Sequence, residues 1–307
     1  MSVSFCGLEL AHPVVNGSGT FDAIAAAGVF GEDLKRAFPF AAFVSKTITL
    51  EPRDGNPPPR LWEAPGGLIN SIGLPNKGLA RYIAEDLPEL LRATATANRD
   101  GSEPASVPLI TNVMGSCADE FARLVEACQE REEIAAVELN VSCPNVETGL
   151  DIGADPRELE RLLRALRPRV EKPLIVKLTP NTADPAACAQ GAQEGGADAV
   201  SLINTLRATA LAPRARSRAS AGPRPWLGGG TGGLSGPAVR PVALAQVAAV
   251  AASVAIPVVG MGGVQNVEHA RDLMDVGATL VAVGTESFRD PAAAARIASE
   301  LRQGLTG

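Results

Sequence analysis

Residues 256–285 read IPVVGMGGVQNVEHARDLMDVGATLVAVGT, a segment in which two short apolar runs flank a stretch with helical periodicity. The runs at 256–262 and 278–285 have the composition and length of buried strands, and Asn266 is a suitable first residue for a helix over 266–276. Neither run alternates with polar residues, so both strands are expected to be covered on both faces. That arrangement is typical of a parallel sheet whose strands are joined by helices.

The same strand and helix unit recurs along the chain. The apolar, β-rich runs are PVVNG (13–17), AAFVSKT (41–47), LITNVM (109–114), AAVELNVS (135–142), LIVKLT (174–179), AVSLINT (199–205), IPVVGMG (256–262) and ATLVAVGT (278–285). Helices are predicted over 79–97, 118–130, 156–168, 184–195, 238–254, 266–276 and 291–303. Eight runs favour a (β/α)₈ TIM barrel of the α/β class over an open sheet, and we expect one domain over residues 1–307. The active site should lie at the carboxyl ends of the strands.

Two connections are too long for plain strand-to-helix loops: residues 48–78, after the second strand, and residues 206–235, after the sixth. Long insertions in compact domains are usually functional, and both should overhang the face that carries the active site. The second insertion contains five arginines: Arg207, Arg214, Arg216, Arg218 and Arg224. It is interpreted either as a solvated, mobile flap or as an edge that docks a partner or an anionic ligand.

The composition excludes several classes of protein. The chain has 307 residues, 46% hydrophobic and 20% charged, with a net charge of −6, so no global field attracts nucleic acid or anionic lipid. No apolar run approaches the roughly 20 residues that cross a bilayer, and the start, MSVSFCGLEL, lacks the features of a signal peptide. We therefore expect a cytoplasmic protein without nucleic-acid or membrane partners.

The number and positions of the cysteines and histidines argue against disulfides, metal sites and a catalytic triad. The five cysteines at 6, 117, 128, 143 and 188 are odd in number and widely spread, which indicates free thiols and not disulfides, a zinc site or an iron–sulfur cluster. The two histidines, His12 and His269, precede the first strand and lie inside a predicted helix. Neither a Ser-His-Asp triad nor a histidine-ligated metal is expected, and no metal site is predicted.

Amides and lysines are concentrated at the predicted strand ends. They are Ser45-Lys46-Thr47, Asn112, Asn140 with Cys143 and Asn145, Lys177, and Asn204-Thr205. Amides donate and accept hydrogen bonds and lysines only donate, so together they can hold a flat, amide-rich and partly anionic ring. Any one of these asparagines could equally serve a turn. The recurrence of four asparagines at the ends of three strands favours a ligand.

The last two strands end in glycine-containing turns, Gly260-Met261-Gly262-Gly263 and Val283-Gly284-Thr285. Glycine lets backbone N–H groups approach a phosphate, and the loops after the seventh and eighth strands are the usual phosphate site of this barrel. A phosphorylated cofactor with a flat polar ring is the predicted ligand.

A second glycine motif does not indicate a dinucleotide site. Gly228, Gly230 and Gly233 fit G-x-G-x-x-G, but AGPRPWL precedes them where an apolar strand is required. The required acidic residue about 20 positions later is also missing. The motif is interpreted as flexible backbone, with Gly236 close to the cofactor.

Cys143, in the sequence Ser142-Cys143-Pro144-Asn145, follows the fourth strand. A free cysteine is commonly a small buried hydrophobe, which is how Cys6, Cys128 and Cys188 are interpreted. The polar neighbours of Cys143 favour a reactive role as a nucleophile or a general base. With no histidine nearby to activate a nucleophile, proton abstraction is the preferred interpretation.

The chain resembles the dihydroorotate dehydrogenases, which are FMN-containing (β/α)₈ barrels of pyrimidine biosynthesis. The resemblance covers nearly the whole chain. It rests on SGTF (18–21), SKTITLEPRDGNPPPR (45–60), NSIGLPNKG (70–78), ELNVSCPN (138–145), VKLTPN (176–181), INT (203–205), GGLSGPAVRPVAL (232–244), GMGGV (260–264) and VGT (283–285).

The resemblance implies roles for individual residues. The substrate ring and its carboxylate would be held by Lys46, Asn70, Ile72, Gly73, Leu74, Asn140, Asn145, Asn204 and Thr205. FMN would be contacted by Ser18, Gly19, Lys46, Thr47, Asn112, Asn140, Lys177, Ile203, Gly236, Gly262, Gly263, Gly284 and Thr285. Cys143 would remove the C5 proton of dihydroorotate while a hydride passes from C6 to the flavin, and Lys177 would stabilise the negative charge that builds on the ring.

The resemblance also implies a branch of the family. With cysteine at position 143 the chain resembles the soluble class of the family. The membrane-bound class has serine at this position and an added N-terminal segment. GNPPPR and GGTGGLSGPAVRP look most like the NAD-linked branch, in which a second subunit carries FAD and a 2Fe–2S cluster and two catalytic chains form the core of a heterotetramer. The loop at 206–227 departs from that branch, whose segment is shorter.

Other functions stay open at the level of sequence. A fumarate-linked homodimeric dihydroorotate dehydrogenase, or a dehydrogenase of another dihydropyrimidine, would use the same scaffold. A flavin-free aldolase that uses Lys46 or Lys177 as a Schiff base is a different class of enzyme, and a barrel that binds a ligand without turnover is a third.

Overall fold

The computed structural model describes residues 2–96, 105–141, 152–212 and 223–303, and eight of the strands in these ranges form one parallel sheet. In chain order they are β1 Val14–Asn16, β2 Phe43–Val44, β3 Leu109–Val113, β4 Ile134–Asn140, β5 Leu174–Lys177, β6 Ala199–Leu202, β7 Val258–Met261 and β8 Leu280–Val283. Hydrogen bonds join them in the order β1, β8, β7, β6, β5, β4, β3, β2. The predicted α/β class and (β/α)₈ barrel are confirmed.

A side chain closes the barrel between β1 and β2. Asn16 Oδ1 accepts from the Val44 backbone N–H at 2.7 Å, and Asn16 Nδ2 donates to the Val44 carbonyl at 2.8 Å. The backbone adds one bond across the same seam, from Ala41 N to Val14 O at 2.9 Å. Because the amide supplies one donor and one acceptor, it replaces the peptide group of a strand neighbour.

Replacing Asn16 by alanine should destabilise the barrel by about 1–3 kcal/mol, because it leaves a buried backbone donor and acceptor of Val44 without partners. Urea unfolding of the purified protein would measure the change. Lys35→Ala, which removes a surface ion pair with Glu32, should change stability by less than about 1 kcal/mol. Equal stability of the two variants would exclude a closing role for Asn16.

A helix of at least seven residues follows each strand of the barrel. These are α1 Ala23–Phe30, α2 Leu87–Ala93, α3 Ala118–Gln129, α4 Pro156–Leu166, α5 Pro185–Glu194, α6 Arg240–Ala251, α7 Val267–Asp275 and α8 Ala293–Gln303. Asp22, Asp155, Asp184 and Asn266 accept first-turn N–H groups and fix where four of them begin. None of the helices in the described ranges is long and apolar enough to span a membrane.

The first two helical regions differ from the sequence-based expectations. The predicted helix over 79–97 consists of Leu79–Arg81, a π-helical turn at Tyr82–Asp86, and α2, and it ends before the short strand Ala95–Thr96. That strand pairs with Ala105–Ser106. Helix α1 was not predicted, because its sequence AIAAAGVF has no polar stripe from which a helical period could be read.

The barrel interior has an apolar bottom and a polar top. Side chains that fill the lower part, such as Ile110, Ala136, Ile175 and Leu280, belong to one buried cluster. The N-terminal hairpin, Val3–Phe5 with Leu8–Leu10, contributes Phe5 and Leu10 to the same cluster. The larger apolar cluster lies outside the strands, between them and the surrounding helices. Inside the barrel, polar side chains lie above the apolar cluster, at the end where active sites of this fold are found.

The two long insertions pair with each other above the carboxyl ends of the strands. Leu206–Ala208, Gly232–Ser235, Gly67–Asn70 and Leu61–Ala64 form, in this order, a four-stranded antiparallel flap sheet. The two ends of the arginine-rich insertion are therefore paired strands. At these ends the chain is part of a sheet and does not form the solvated flap that was one of the two interpretations. Arg214, Arg216 and Arg218 lie outside the described residues.

Candidate active site

A cavity of about 570 Å³ lies between the mouth of the barrel and the flap sheet. Its lining includes most of the residues that the sequence singled out. These are Ser18, Gly19, Lys46, Thr47, Asn70, Ile72, Gly73, Leu74, Asn140, Lys177, Ile203, Asn204, Thr205, Gly236, Gly262, Gly263, Gly284 and Thr285. Residues from seven of the eight strand ends, all but that of β3, and from both insertions thus meet in one space that is large enough for a cofactor and a small substrate.

Asn112 does not lie where the sequence predicted. Asn112 is fully buried, is absent from the cavity lining, and turns its amide nitrogen to Glu138. Cys143 and Asn145 lie outside the described residues, so their assigned roles stay predictions.

Two lysines give the cavity its positive charge. Lys177, the last residue of β5, is 6% exposed, and Lys46, two residues after β2, is exposed in the cavity. Within the described ranges, neither ammonium group makes a hydrogen bond or an ion pair. Since a buried ammonium group without a partner is costly, the site requires a ligand with negative charge or acceptor atoms.

The amides of the cavity are tied to neighbouring loops. Asn140 Nδ2 donates to Thr47 Oγ1 at 3.3 Å, and Asn70 Nδ2 donates to the Gly233 carbonyl at 3.2 Å within the flap sheet. Asn204 Oδ1 accepts from the Thr205 N–H at 2.9 Å. Because each amide makes at least one of these hydrogen bonds, its orientation is restricted before a ligand binds.

The glycine turns after β7 and β8 need their glycines. Gly262 and Gly263 have φ values of 135° and 70°, which side-chain residues rarely adopt. A Cβ atom on Gly262 would lie 2.6 Å from Ala243 Cβ, and one on Gly263 would lie 2.8 Å from Arg240 Cβ. The backbone therefore reaches the cavity directly, as phosphate binding requires.

Neither histidine lies at the cavity. His12 is buried below the barrel, and its Nδ1 accepts from the Val14 N–H at 3.3 Å. Burial, with a smaller contribution from the Arg302 guanidinium, lowers the pKa of His12 to about 4, so the ring is neutral at physiological pH. His269 lies on α7.

A layer of buried polar side chains, which was not predicted, lies below the cavity. Glu138 and Ser201 are buried on β4 and β6, and the Glu138 carboxyl group accepts from Asn112 Nδ2 at 2.6 Å and from Ser201 Oγ at 2.7 Å. The sequence does contain an indication of this layer, because Glu138 is a charged residue inside the apolar run AAVEL. Leu61, Leu68, Met261 and Phe288 also line the cavity and were not predicted.

A TIM barrel with lysines and amides at its mouth, beside two glycine turns, is the architecture of a barrel enzyme that uses a phosphate-bearing cofactor. The family model for dihydroorotate dehydrogenase matches residues 1–305, and the chain belongs to this family.

Curated relatives agree over almost the full length. Proteins from Citrifermentans bemidjiense, Trichlorobacter lovleyi and Desulforudis audaxviator are 40%, 41% and 41% identical to the chain. The alignments cover 99% of this chain and 93%, 93% and 92% of the respective relatives. Each relative is named dihydroorotate dehydrogenase B (NAD(+)), catalytic subunit.

Proposed function

We propose that this chain is the catalytic subunit of an NAD-linked dihydroorotate dehydrogenase, an FMN enzyme that oxidises dihydroorotate to orotate in pyrimidine biosynthesis. The observation that carries the proposal is a family match over nearly the whole chain, with two glycine turns, oriented amides and two lysines that have no ion-pair partner among the described residues around one cavity. The relatives' shared name supports the NAD-linked branch.

The chemistry of the cavity fits FMN. The glycine turns after β7 and β8 suit a phosphate, and the two lysines suit the electron-rich carbonyl and ring-nitrogen edge of a flavin. Asn112 Oδ1 is a buried acceptor without a hydrogen-bond partner in the described part of the chain, and a flavin ring carries one N–H donor. Gly262, Gly263, Gly284 and Thr285 would hold the phosphate, and Lys177 and Asn140 the ring.

The proposed mechanism divides the reaction among the residues of this chain. Lys46 binds the substrate carboxylate, and Asn70, Asn140, Asn145 and Asn204 orient the ring by hydrogen bonds. Cys143 takes the proton from C5 on its sulfur. When bound, FMN supplies the acceptor for the hydride that leaves C6. The Lys177 ammonium group stabilises the negative charge that develops, and the flap sheet keeps water from the site.

The partner is part of the same proposal. The relatives are named as catalytic subunits, which supports a second subunit, and we propose that this subunit carries FAD and a 2Fe–2S cluster. Two copies of this chain would form the core of a cytoplasmic heterotetramer. Tagged protein purified from its native source should bring an iron–sulfur flavoprotein with it at equal stoichiometry, and a fumarate-reducing homodimer would contradict the NAD-linked branch.

The visible spectrum of the purified chain tests the central proposal. We expect a yellow protein whose flavin absorbance is lost when dihydroorotate is added without oxygen. If another dihydropyrimidine reduced the flavin and dihydroorotate did not, the proposed substrate would be wrong. A colourless protein that is trapped by borohydride with a carbonyl compound would support the Schiff-base aldolase.

Gly263→Ala is expected to weaken FMN binding at least tenfold, because the new methyl group meets the Arg240 side chain and the Gly236 carbonyl and displaces the phosphate turn. Titration of the flavin-free protein with FMN measures the dissociation constant. Gly230→Ala is a matched control, since Gly230 also has positive φ, 79°, but a Cβ there has no neighbour within 4 Å. If both variants bind FMN like wild type, the turn after β7 does not hold the phosphate.

A further inference from the structure

Glu138 is the charged member of the polar layer beneath the cavity. It lies within β4 between the buried residues Val137 and Leu139 and is itself 4% exposed. Its two oxygens have separate donors, Asn112 Nδ2 from β3 at 2.6 Å and Ser201 Oγ from β6 at 2.7 Å. Two donors at two oxygens is the pattern that an ionised carboxylate accepts.

This contact fixes the Asn112 amide. Because Nδ2 points to Glu138, the other end of the amide is an acceptor, and Asn112 Oδ1 has no hydrogen-bond partner among the described residues although it is buried. A buried acceptor without a partner costs about 1–3 kcal/mol, so folding alone gives no reason to keep it. The contact with Glu138 therefore determines which end of the Asn112 amide is left as an acceptor.

The charge of Glu138 has no counterion in direct contact. In the residues that the structure describes, no lysine or arginine nitrogen lies within 4 Å of its oxygens. A buried carboxylate without such a partner is destabilising, and an apolar side chain would fill the position at a lower cost. A purely structural role therefore does not account for a glutamate here.

The position of Glu138 relative to the cavity suggests what it does. Asn140, two residues further along β4, lines the cavity, so Glu138 lies one layer lower on the same face, about 7 Å along the strand. Lys177 is in register with Asn140 on one side and with Ser201 on the other. The interior thus has a positive charge in the layer that lines the cavity and a negative charge in the layer below it.

We propose that Glu138 is a positioning residue that holds Asn112 and whose negative charge opposes Lys177, so that the pair sets how readily the bound flavin is reduced. The inference rests on the proposed function, because it assumes that the cavity binds FMN. Reduction places extra negative charge on the flavin, which Lys177 favours and Glu138 disfavours. In a protein interior, a unit charge one side-chain layer from a site is strong enough to shift such an equilibrium by tenfold or more.

The test is the midpoint potential of bound FMN, measured by anaerobic titration with reference dyes. Glu138→Gln removes the charge and keeps the shape, and its amide can still accept from Asn112 while donating to Ser201 Oγ. We expect the reduced state to be favoured at least tenfold more, a rise of about 30 mV for a two-electron couple. Lys177→Met should shift the potential in the opposite direction.

Glu133→Gln is the matched control. It removes the same charge just before β4, at the opposite end of the barrel, where Glu133 is exposed and paired with Arg131. Its potential should equal that of wild type, and a rise as large as that of Glu138→Gln would show a general effect of net charge and overturn the proposal. So would an unchanged or lowered potential in Glu138→Gln.

Infrared difference spectra of the wild-type holoenzyme test the proposal without a core substitution. Reduction of the flavin should shift a carboxyl band that moves on labelling with ¹³C-glutamate and persists in Glu286→Gln, which removes the glutamate that lines the cavity. Absence of that band overturns the role of Glu138. A wild-type chain that binds no FMN would instead refute the proposed function.

Discussion

Cys143→Ala is expected to slow the reduction of bound flavin by dihydroorotate roughly 10²–10⁴-fold, because a positioned general base contributes about that factor. The variant should still bind FMN and should still be reduced by dithionite, since the thiol is assigned only to proton removal. Stopped-flow measurement of the flavin absorbance under anaerobic conditions gives the rate.

Two controls separate this role from others. Cys117 is an exposed free thiol, and Cys117→Ala should be reduced at the wild-type rate. Glu286 lines the cavity and accepts from Gln265 Nε2 at 2.9 Å, which makes it the carboxylate among the described lining residues that could act as a base. If Glu286→Gln lost the activity and Cys143→Ala retained it, the base would be reassigned.

Lys177→Met should lower the rate of flavin reduction about 10²–10³-fold, the usual loss when one preorganised group that stabilises developing charge is removed. The physical reason is the position of the ammonium group, buried at the end of β5 with no protein partner in the described ranges, so its charge is available to the ligand. The same stopped-flow assay measures the loss, and FMN titration shows how much of it comes from weaker binding.

Lys35→Met serves as a comparison, because Lys35 is a surface lysine paired with Glu32. We expect wild-type reduction in that variant. A Lys177→Met protein that binds FMN and is reduced at the full rate would mean that another group carries the charge stabilisation, and Lys46, the second lysine of the cavity, would be the next to replace.

Much of the site could be predicted because strand ends can be read locally. Lys177, Asn140 and the glycines at 262 and 263 each follow an apolar run, and in a parallel barrel all such ends lie on one face. Asn112 shows that a position near a strand end does not by itself predict a side chain that lines the cavity. It is also near a strand end, but it is absent from the cavity lining and its amide nitrogen turns to Glu138, a contact that depends on a side chain 26 residues away.

The sequence by itself determined the barrel, the face that carries the site, and the family, because periodicity and short motifs are local properties of the chain. The tertiary structure decided the rest: the Asn16 seam, the pairing of Gly67–Asn70 with Gly232–Ser235, and the Glu138 layer. Each of these joins residues that are far apart in the chain. Their pairing depends on which polar groups remain unsatisfied once the barrel has formed, and no local pattern records that.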